Sequence, residues 1–418
     1  MVGFGKKNSL LFVHLNNFNQ KQPPFCLLYQ EIEKIDADFR DTRSYLNEAT
    51  FEPLYREGTK LYSEGKYMDA YRKWDVITKK DAAYKDVKAR MEQALNDRYN
   101  EGSLLLMQES FDQAARALGD VHSVNPNYRE VHVQYIEARN EPIYRRANQQ
   151  MLTGKCRSAY YDFDQIIKDA ATYKDAGTLR DNALQCATYP VAIYAPDIRY
   201  HSGESARIKN VLLENLLARK NIFLKVYDLS ALDAQANNRI INRSGQIDNQ
   251  TMKNLAKAKN IKAVLFLDFE NYRSEKGDLI SNKMTGFERQ VIKKDDGTTQ
   301  IHDKKVTYTS WSQTNAAAVK INYRLVSATT GEILLSDNSY DTRTDQTNYA
   351  AYDGDKSNLY PAKLVGGDWI MDDNGRNNLQ KLLRSDTRIK SLETLQTELY
   401  NDLTTDIAKK INSFDPEK

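Results

Sequence analysis

Cysteine is scarce in this chain: three in 418 residues, at Cys26, Cys156 and Cys186. No Cys-x-x-Cys pair and no Cys/His cluster stands at metal-ligand spacing, so a structural metal site has no basis in the sequence. The five histidines, His14, His122, His132, His201 and His302, are scattered. None has a triad partner within a recognisable motif, and neither a Gly-x-Ser-x-Gly elbow nor a phosphate loop occurs. Apolar runs stay well short of the roughly 18 residues a membrane-spanning helix needs. Lys/Arg blocks are short and the net charge is only +3, which argues against a nucleic-acid footprint. A calcium loop is suggested by Asp368, Asp372, Asp373, Asn374 and Gly375, but Ile370 stands where the first acidic ligand belongs, and turn chemistry explains the run better. These absences lead us to expect no enzyme, no cofactor, no metal, no nucleic acid and no transmembrane helix.

What the chain does have is 40% hydrophobic residues over a length sufficient for two or three domains. Its first half repeats. Tyr55, Tyr99 and Tyr144 open three segments spaced by 44 and 45 residues. Gly58, Gly102 and Ala147 follow in register, then Ala70, Ala114 and Ala159, then Trp74, Leu118 and Phe163, then Ile77, Val121 and Ile166. The units close with Tyr84-Lys85-Asp86, Tyr128-Arg129-Glu130 and Tyr173-Lys174-Asp175. A small residue opposite a large apolar one is the signature of two closely packed helices. Gly65 and Gly154 suit the turns between them, and Asn125-Pro126 marks a further turn.

The stretch from Tyr55 to Trp74, with Gly58, Gly65, Tyr67 and Ala70 between, resembles the tetratricopeptide repeat, although the step exceeds that family's period of about 34 residues. The extra length falls in a long helix expected from Tyr84 to Gln108. The resemblance implies that one helix face lines a groove for extended peptides. On that reading Tyr55, Thr59, Tyr62, Tyr99, Ser103, Leu106, Tyr144, Asn148 and Met151 are candidate partner-binding residues. The competing reading makes the three tyrosines a packing ladder between neighbouring hairpins.

The pattern reaches back to about residue 25, where Asp36 to Asp41 aligns with Asp81 to Asp86, and then stops within a hairpin. Residues 1–24 fit no repeat. Lys6-Lys7 and Leu10 to Val13 imitate a signal peptide, but His14, Asn16 and Asn17 interrupt its apolar centre, and Cys26 lacks a lipoprotein box. We expect the reading frame to be truncated or mis-started here. Cys156 begins one expected helix and Cys186 ends the next, each about equally far from the turn near Ala170-Ala171. Two readings stand for them: a disulfide in an oxidising compartment, or two buried thiols.

At Tyr189-Pro190 the helical period gives way to strands. Strands are expected at Val191–Ala195, Ile222–Tyr227 and Ala263–Phe269, with helices at Ser205–Lys220 and Met252–Lys259. Val319, Ile321, Tyr323 and Leu325 alternate with polar residues, a turn falls at Thr329-Thr330-Gly331, and Glu332–Ser339 pairs back. A last helix carries Leu392, Leu395, Leu399, Leu403, Ile407 and Ile411 on one stripe. This element order, with the strand–turn–strand from Val319 to Leu335, resembles the α/β domain of the curli secretion channel subunits, which also occurs in the lipoprotein activators of penicillin-binding proteins. The resemblance covers about residues 190–413 and implies the bacterial envelope, no cofactor and work by protein–protein contact. Insertions fall at about 274–314, around an Asp296-Gly297 turn, and at 342–378. Neither alternates as lipid-facing strands do, so both are expected to be contact surface or ordered loop.

The expected architecture is therefore multidomain: a non-repeat segment (1–24), an α-solenoid of tetratricopeptide-like hairpins (25–188), and a small α/β sandwich with a mixed sheet and a long C-terminal helix (189–418). The expected function is a non-enzymatic scaffold or accessory protein of the periplasm or the periplasmic face of the outer membrane. It would bind proteins or peptides, self-associate, or attach peripherally or by a lipid. A subunit of an oligomeric outer-membrane secretion complex and a cytosolic peptide-binding co-chaperone are the alternatives. Non-reducing peptide mapping of protein from its native compartment separates the two readings, since only the bridge gives a linked Cys156–Cys186 peptide pair. Two free thiols there would count against both the bridge and a periplasmic location.

Overall fold

The computed structural model describes residues 30–34, 42–201, 203–229 and 260–417. The segment 1–24, Cys26, the partial unit at Asp36–Asp41 and the helix expected at Met252–Lys259 lie outside the described residues. The chain divides into two units, Met1–Ala183 and Leu184–Lys418. Helices make up the first, and a mixed eight-stranded sheet with helices makes up the second.

In the first unit the helices are α1 (Thr42–Ser63), α2 (Tyr67–Thr78), α3 (Val87–Met107), α4 (Phe111–Val124), α5 (Val131–Leu152), α6 (Cys156–Asp169) and α7 (Ala176–Ala187). The short helices begin at 67, 111 and 156, and the helices after them at 87, 131 and 176, so both series advance by 44 and then 45 residues. Their core is made from equivalent positions. Ala70, Ala114 and Ala159, then Trp74, Leu118 and Phe163, then Ile77, Val121 and Ile166 are all fully buried. Long and short helices approach each other at the glycines. A Cβ on Gly58 would lie 2.4 Å from the Trp74 indole, and one on Gly102 would lie 2.7 Å from Leu118 Cγ. The tight turns before α2 and α6 use Gly65 and Gly154, both at φ +76. The equivalent turn before α4 puts Glu109 in the same left-handed region, at φ 58. That side chain is held by a bidentate pair with Arg145, at 2.8 and 2.9 Å.

In the second unit the elements are β1 (Tyr189–Tyr194), α8 (Glu204–Ala218), β2 (Leu224–Asp228), β3 (Ala263–Lys276), β4 (Ile280–Lys293), β5 (Thr299–Ser327), β6 (Ile333–Ala351), β7 (Leu359–Val365), β8 (Asp368–Met371), α9 (Arg376–Arg384) and α10 (Leu392–Ser413). The strand order is β2-β1-β3-β5-β4-β7-β8, with β6 also paired to β5. β1 runs parallel to β2 and β3, and the remaining pairs are antiparallel. β5, 29 residues long, organises the sheet. β3 pairs with its residues 315–327 and β4 with its residues 299–312, end to end. Gly277 joins the two, its N–H donating to Thr314 O at 2.9 Å, and a Cβ there would lie 2.2 Å from that oxygen. β6 pairs with β5 from Val326↔Ile333 to Thr309↔Ala351.

The main core lies on one face of this sheet, where α8 and α10 cover it. Ile208, Leu212 and Leu216 of α8 and Leu395, Leu399, Leu403, Ile407 and Ile411 of α10 meet Ile193, Leu265, Val319, Ile321, Tyr323 and Leu325. Ala192, Tyr194, Val264 and Val326 are buried in a second cluster with Leu229 and Ile261. β3 is thus apolar in consecutive residues because both of its faces are covered. A polar network ties the two helices to β3. Tyr400 donates to Glu204 Oε2 at 2.7 Å and meets the Tyr272 hydroxyl at 3.1 Å, while Gln396 donates to Tyr272 and Ser274 at 3.1 Å each. Burial, and then Tyr272 and Glu204, hold the Tyr400 hydroxyl far above its ordinary pKa.

The region expected to be loop or contact surface at 274–314 is strand over most of its length, a β4–β5 arm closed by the turn at Gly297. The region at 342–378 likewise forms the end of β6, the β7–β8 hairpin and the start of α9. Backbone pairing along β5 continues the ladder where side-chain alternation gave no signal.

Helix propensity alone would make Gly58→Ala and Gly102→Ala stabilising by about 1 kcal/mol. The contacts at 2.4 and 2.7 Å reverse that sign. Each variant is expected to lose up to about 2 kcal/mol of array stability, read as a lower thermal midpoint. An unchanged or raised midpoint would mean that the helices do not meet at these glycines.

Candidate partner-binding site

The recurrent tyrosines are engaged at the corners of the helical array. Tyr55 stands against Tyr84 with ring centroids 6.3 Å apart, Tyr99 against Tyr128 at 5.8 Å, and Tyr144 against Tyr173 at 6.0 Å, all edge to face. A cation lies over each first ring: Lys85 at 4.8 Å, Arg129 at 5.4 Å and Lys174 at 4.8 Å. All three cationic residues have left-handed backbones, with φ between 44 and 48. Tyr55 donates to Asp86 Oδ1 at 2.6 Å and Tyr144 to Asp175 Oδ1 at 2.5 Å.

The other predicted binding residues are also committed within the array. Thr59 donates to Tyr55 O at 2.9 Å, Asn148 to Tyr144 O at 2.9 Å and Ser103 to Gln134 Oε1 at 2.6 Å. Tyr62 donates to Asp97 and packs on Tyr67 and Trp74. Leu106 and Met151 join the apolar clusters beneath. Cys156 and Cys186 are each disulfide-bonded.

Two of the three corners carry a carboxylate, half-buried at Glu52 and buried at Glu141. Glu52 accepts from Tyr84 at 3.1 Å, from Arg56 at 2.8 Å and from Lys85. Glu141 accepts from Tyr173 at 2.6 Å, from Arg145 at 3.0 Å and from Lys174. Lys85 and then Arg56 hold the Glu52 carboxyl at about 2, below an ordinary 4.5. Burial pushes Glu141 up, but Lys174, Tyr173 and Arg145 outweigh it and bring the carboxyl to about 2. The middle corner has Asn96 at the equivalent position. There the Asn96 Oδ1 and Tyr128 hydroxyl oxygens are buried without a hydrogen-bond partner. His122 Nε2 and His132 Nδ1 meet at 3.0 Å between α4 and α5, with the His122 ring also stacked on Tyr135.

Between α4, α5 and α6 the packing opens into a groove of about 550 Å³. Asp112, Ala115 and Arg116 of α4 form one wall, and Gln165, Lys168 and Asp169 of α6 form the other. Ala138, Arg139, Asn140 and Ile143 of α5 make the floor. Asn140 is fully buried, and its amide donates to Asp169 Oδ2 at 2.9 Å and to Ile136 O at 3.0 Å. Arg139 pairs with Asp169 at 2.8 Å, and Lys168 with Asp164 at 2.7 Å. Sequence reasoning missed these residues because it sought likeness among the units, and the groove arises where they differ. Among the described residues, no group of three or more His, Cys, Asp or Glu side chains could hold a metal ion. Among them too, no helix is long and apolar enough to cross a membrane.

No protein-family model matches this chain, and no curated protein matches it.

The carboxyls at Glu52 and Glu141 are depressed in the folded chain, so their contribution is complete above about 4.5 and lost as pH falls towards about 2. Thermal midpoints of the array should therefore fall through that window. The fall should be smaller in Glu52→Gln and Glu141→Gln, and larger in Asn96→Glu, which supplies the missing carboxylate. Identical acid profiles in all four proteins would show that the corners do not depend on these charges.

Proposed function

We propose that this chain is a non-enzymatic adaptor that holds a partner protein on its helical array. The carrying observation is the groove, an opening in an array whose equivalent junction is filled by its own side chains. Repeated hairpins that bury a continuous core between neighbours leave long faces for partners. The step of 44 and 45 residues and the close contacts of Gly58 with Trp74 and of Gly102 with Leu118 support reading the array as a lengthened relative of the tetratricopeptide repeat. The mixed sheet with its long C-terminal helix supports the resemblance of the second unit to the curli secretion channel subunits and the penicillin-binding-protein activators. On that resemblance the adaptor would work in the bacterial envelope, on the periplasmic side of the outer membrane. The disulfide-bonded Cys156 and Cys186 suit an oxidising compartment.

A second reading, a subunit of an outer-membrane secretion complex, draws on the β4–β5 arm, since such a subunit needs projecting hairpins. The arm carries Lys283, Glu288, Arg289, Lys304 and Lys305 along its strands, which suits water or a protein surface better than lipid.

The test is site-specific cross-linking. A photoreactive residue at Gln165, on the groove wall, is expected to give one dominant adduct in envelope extracts, and the same residue at the exposed Lys155 to give none. No adduct from any position on the array would overturn the adaptor reading. Ring-shaped particles in negative stain would favour the secretion complex instead.

A further inference from the structure

We infer that the groove between α4, α5 and α6 receives a bulky apolar side chain of a partner peptide, with a carboxylate beside it that pairs with Arg116. The inference rests on the adaptor reading and names what that site would hold.

At the preceding junction α2 and α4 pack over α3. Stepping back 44 residues, Asp112 corresponds to Met68, Ala115 to Tyr71 and Arg139 to Leu95. Met68 and Leu95 are buried there and Tyr71 packs against them, so the space is filled from within the chain. In the next unit a methionine has become an aspartate, a tyrosine an alanine and a leucine an arginine. An extra residue also enters the long helix, since α5 has 22 residues where α3 has 21. Ala94 and Ala138 stand 44 apart but Tyr99 and Tyr144 stand 45 apart, which places the addition beside Asn140 on the groove floor. Met68 and Tyr71 thus give way to the smaller Asp112 and Ala115 in a junction of the same design, while Leu95 gives way to the longer, polar Arg139. An occupant that fills the lost bulk against Ala115, Ala138 and Ile143 removes apolar surface from water on both sides.

Three cations, Arg116, Arg139 and Lys168, line the groove. Arg139 is neutralised by Asp169, and Lys168 by Asp164. Arg116 has no side-chain partner among the described residues, and it stands on the rim. Asp112 shares the rim but lies in the first turn of α4, where the free N–H groups of the helix compensate it. The unmet charge is therefore positive. A guanidinium at a groove mouth recognises a carboxylate in paired hydrogen bonds. The buried Asn140 amide spends both of its donated bonds on Asp169 and Ile136, so it fixes the floor and leaves recognition to the walls.

The experiment uses the full chain and a spatially addressed library of roughly ten-residue Gly/Ser peptides that vary two adjacent central positions. Peptides pairing Phe, Tyr, Trp, Leu or Met with Asp or Glu are expected to bind about tenfold tighter than the same peptides with Lys or Arg. Ala115→Tyr installs the side chain that the preceding unit carries at Tyr71, and should abolish binding while keeping or raising the thermal midpoint. Arg116→Glu, a surface change, should reverse the charge preference and keep the apolar one. Absence of any acidic–apolar preference would overturn the inference, as would undiminished binding by folded Ala115→Tyr. Should Ala115→Tyr fail to fold, the charge reversal in Arg116→Glu decides. If the library shows no preference while the Gln165 cross-link still traps a partner, the groove occupant is wrong and the adaptor reading stands.

Discussion

The helical array depends on backbones approaching where a side chain is missing. At Gly58 the long helix α1 presents no Cβ, and the Trp74 indole takes the vacated place. At Gly102 the same is true for Leu118. The third unit uses Ala147, buried with Phe163 in one cluster. In each unit a residue with little or no side chain on the long helix faces a large apolar one on the short helix, and this pairing sets the distance between helices in each hairpin. Everything else in the array is arranged around that distance. The tyrosine corners can meet only because the hairpins sit at a fixed separation.

Those corners then make the units unequal. In the first and third, a carboxylate, a tyrosine and a lysine satisfy one another within a left-handed turn. The middle corner keeps the tyrosine pair and the cation but has Asn96 where its neighbours have glutamate, and two polar oxygens remain without partners. Burying such groups costs free energy. The irregularity sits close in sequence to the other departures: the left-handed Glu109, the histidine contact, the added residue in α5 and the groove. Deviations gathered in one part of a regular array are where a repeat protein departs from packing for its own sake.

Much of this was legible in the sequence. The spacing of Ala70, Trp74 and Ile77 with their equivalents is a single apolar stripe, so the buried positions could be read directly. So could β3, whose consecutive apolar residues require cover on both faces, and the Thr330-Gly331 turn between β5 and β6. The role of Tyr55, Tyr99 and Tyr144 was not readable, because a tyrosine can serve a groove or a corner equally well. The carboxylates and cations that meet these rings arrive across the turns, from positions far along the chain. The β4–β5 arm was hidden because its pairing lies in the backbone. α9 was hidden because it buries little beyond Leu379. The groove was hidden for a different reason: it is made of what Asp112 and Ala115 do not fill.

One feature of the second unit has a mechanical meaning. β5 belongs to the arm at one end and to the core at the other, a continuous strand with a contour of about 95 Å. Its inner half carries Val319, Ile321, Tyr323 and Leu325 against the C-terminal helix, and its outer half pairs with β4 beyond that helix. A load applied at the Gly297 tip along the strand is carried by many ladder hydrogen bonds at once, in shear, rather than being opened one at a time. The arm therefore acts as a stiff lever rooted in the hydrophobic core, and a pull on its tip reaches α10 without passing through a flexible joint.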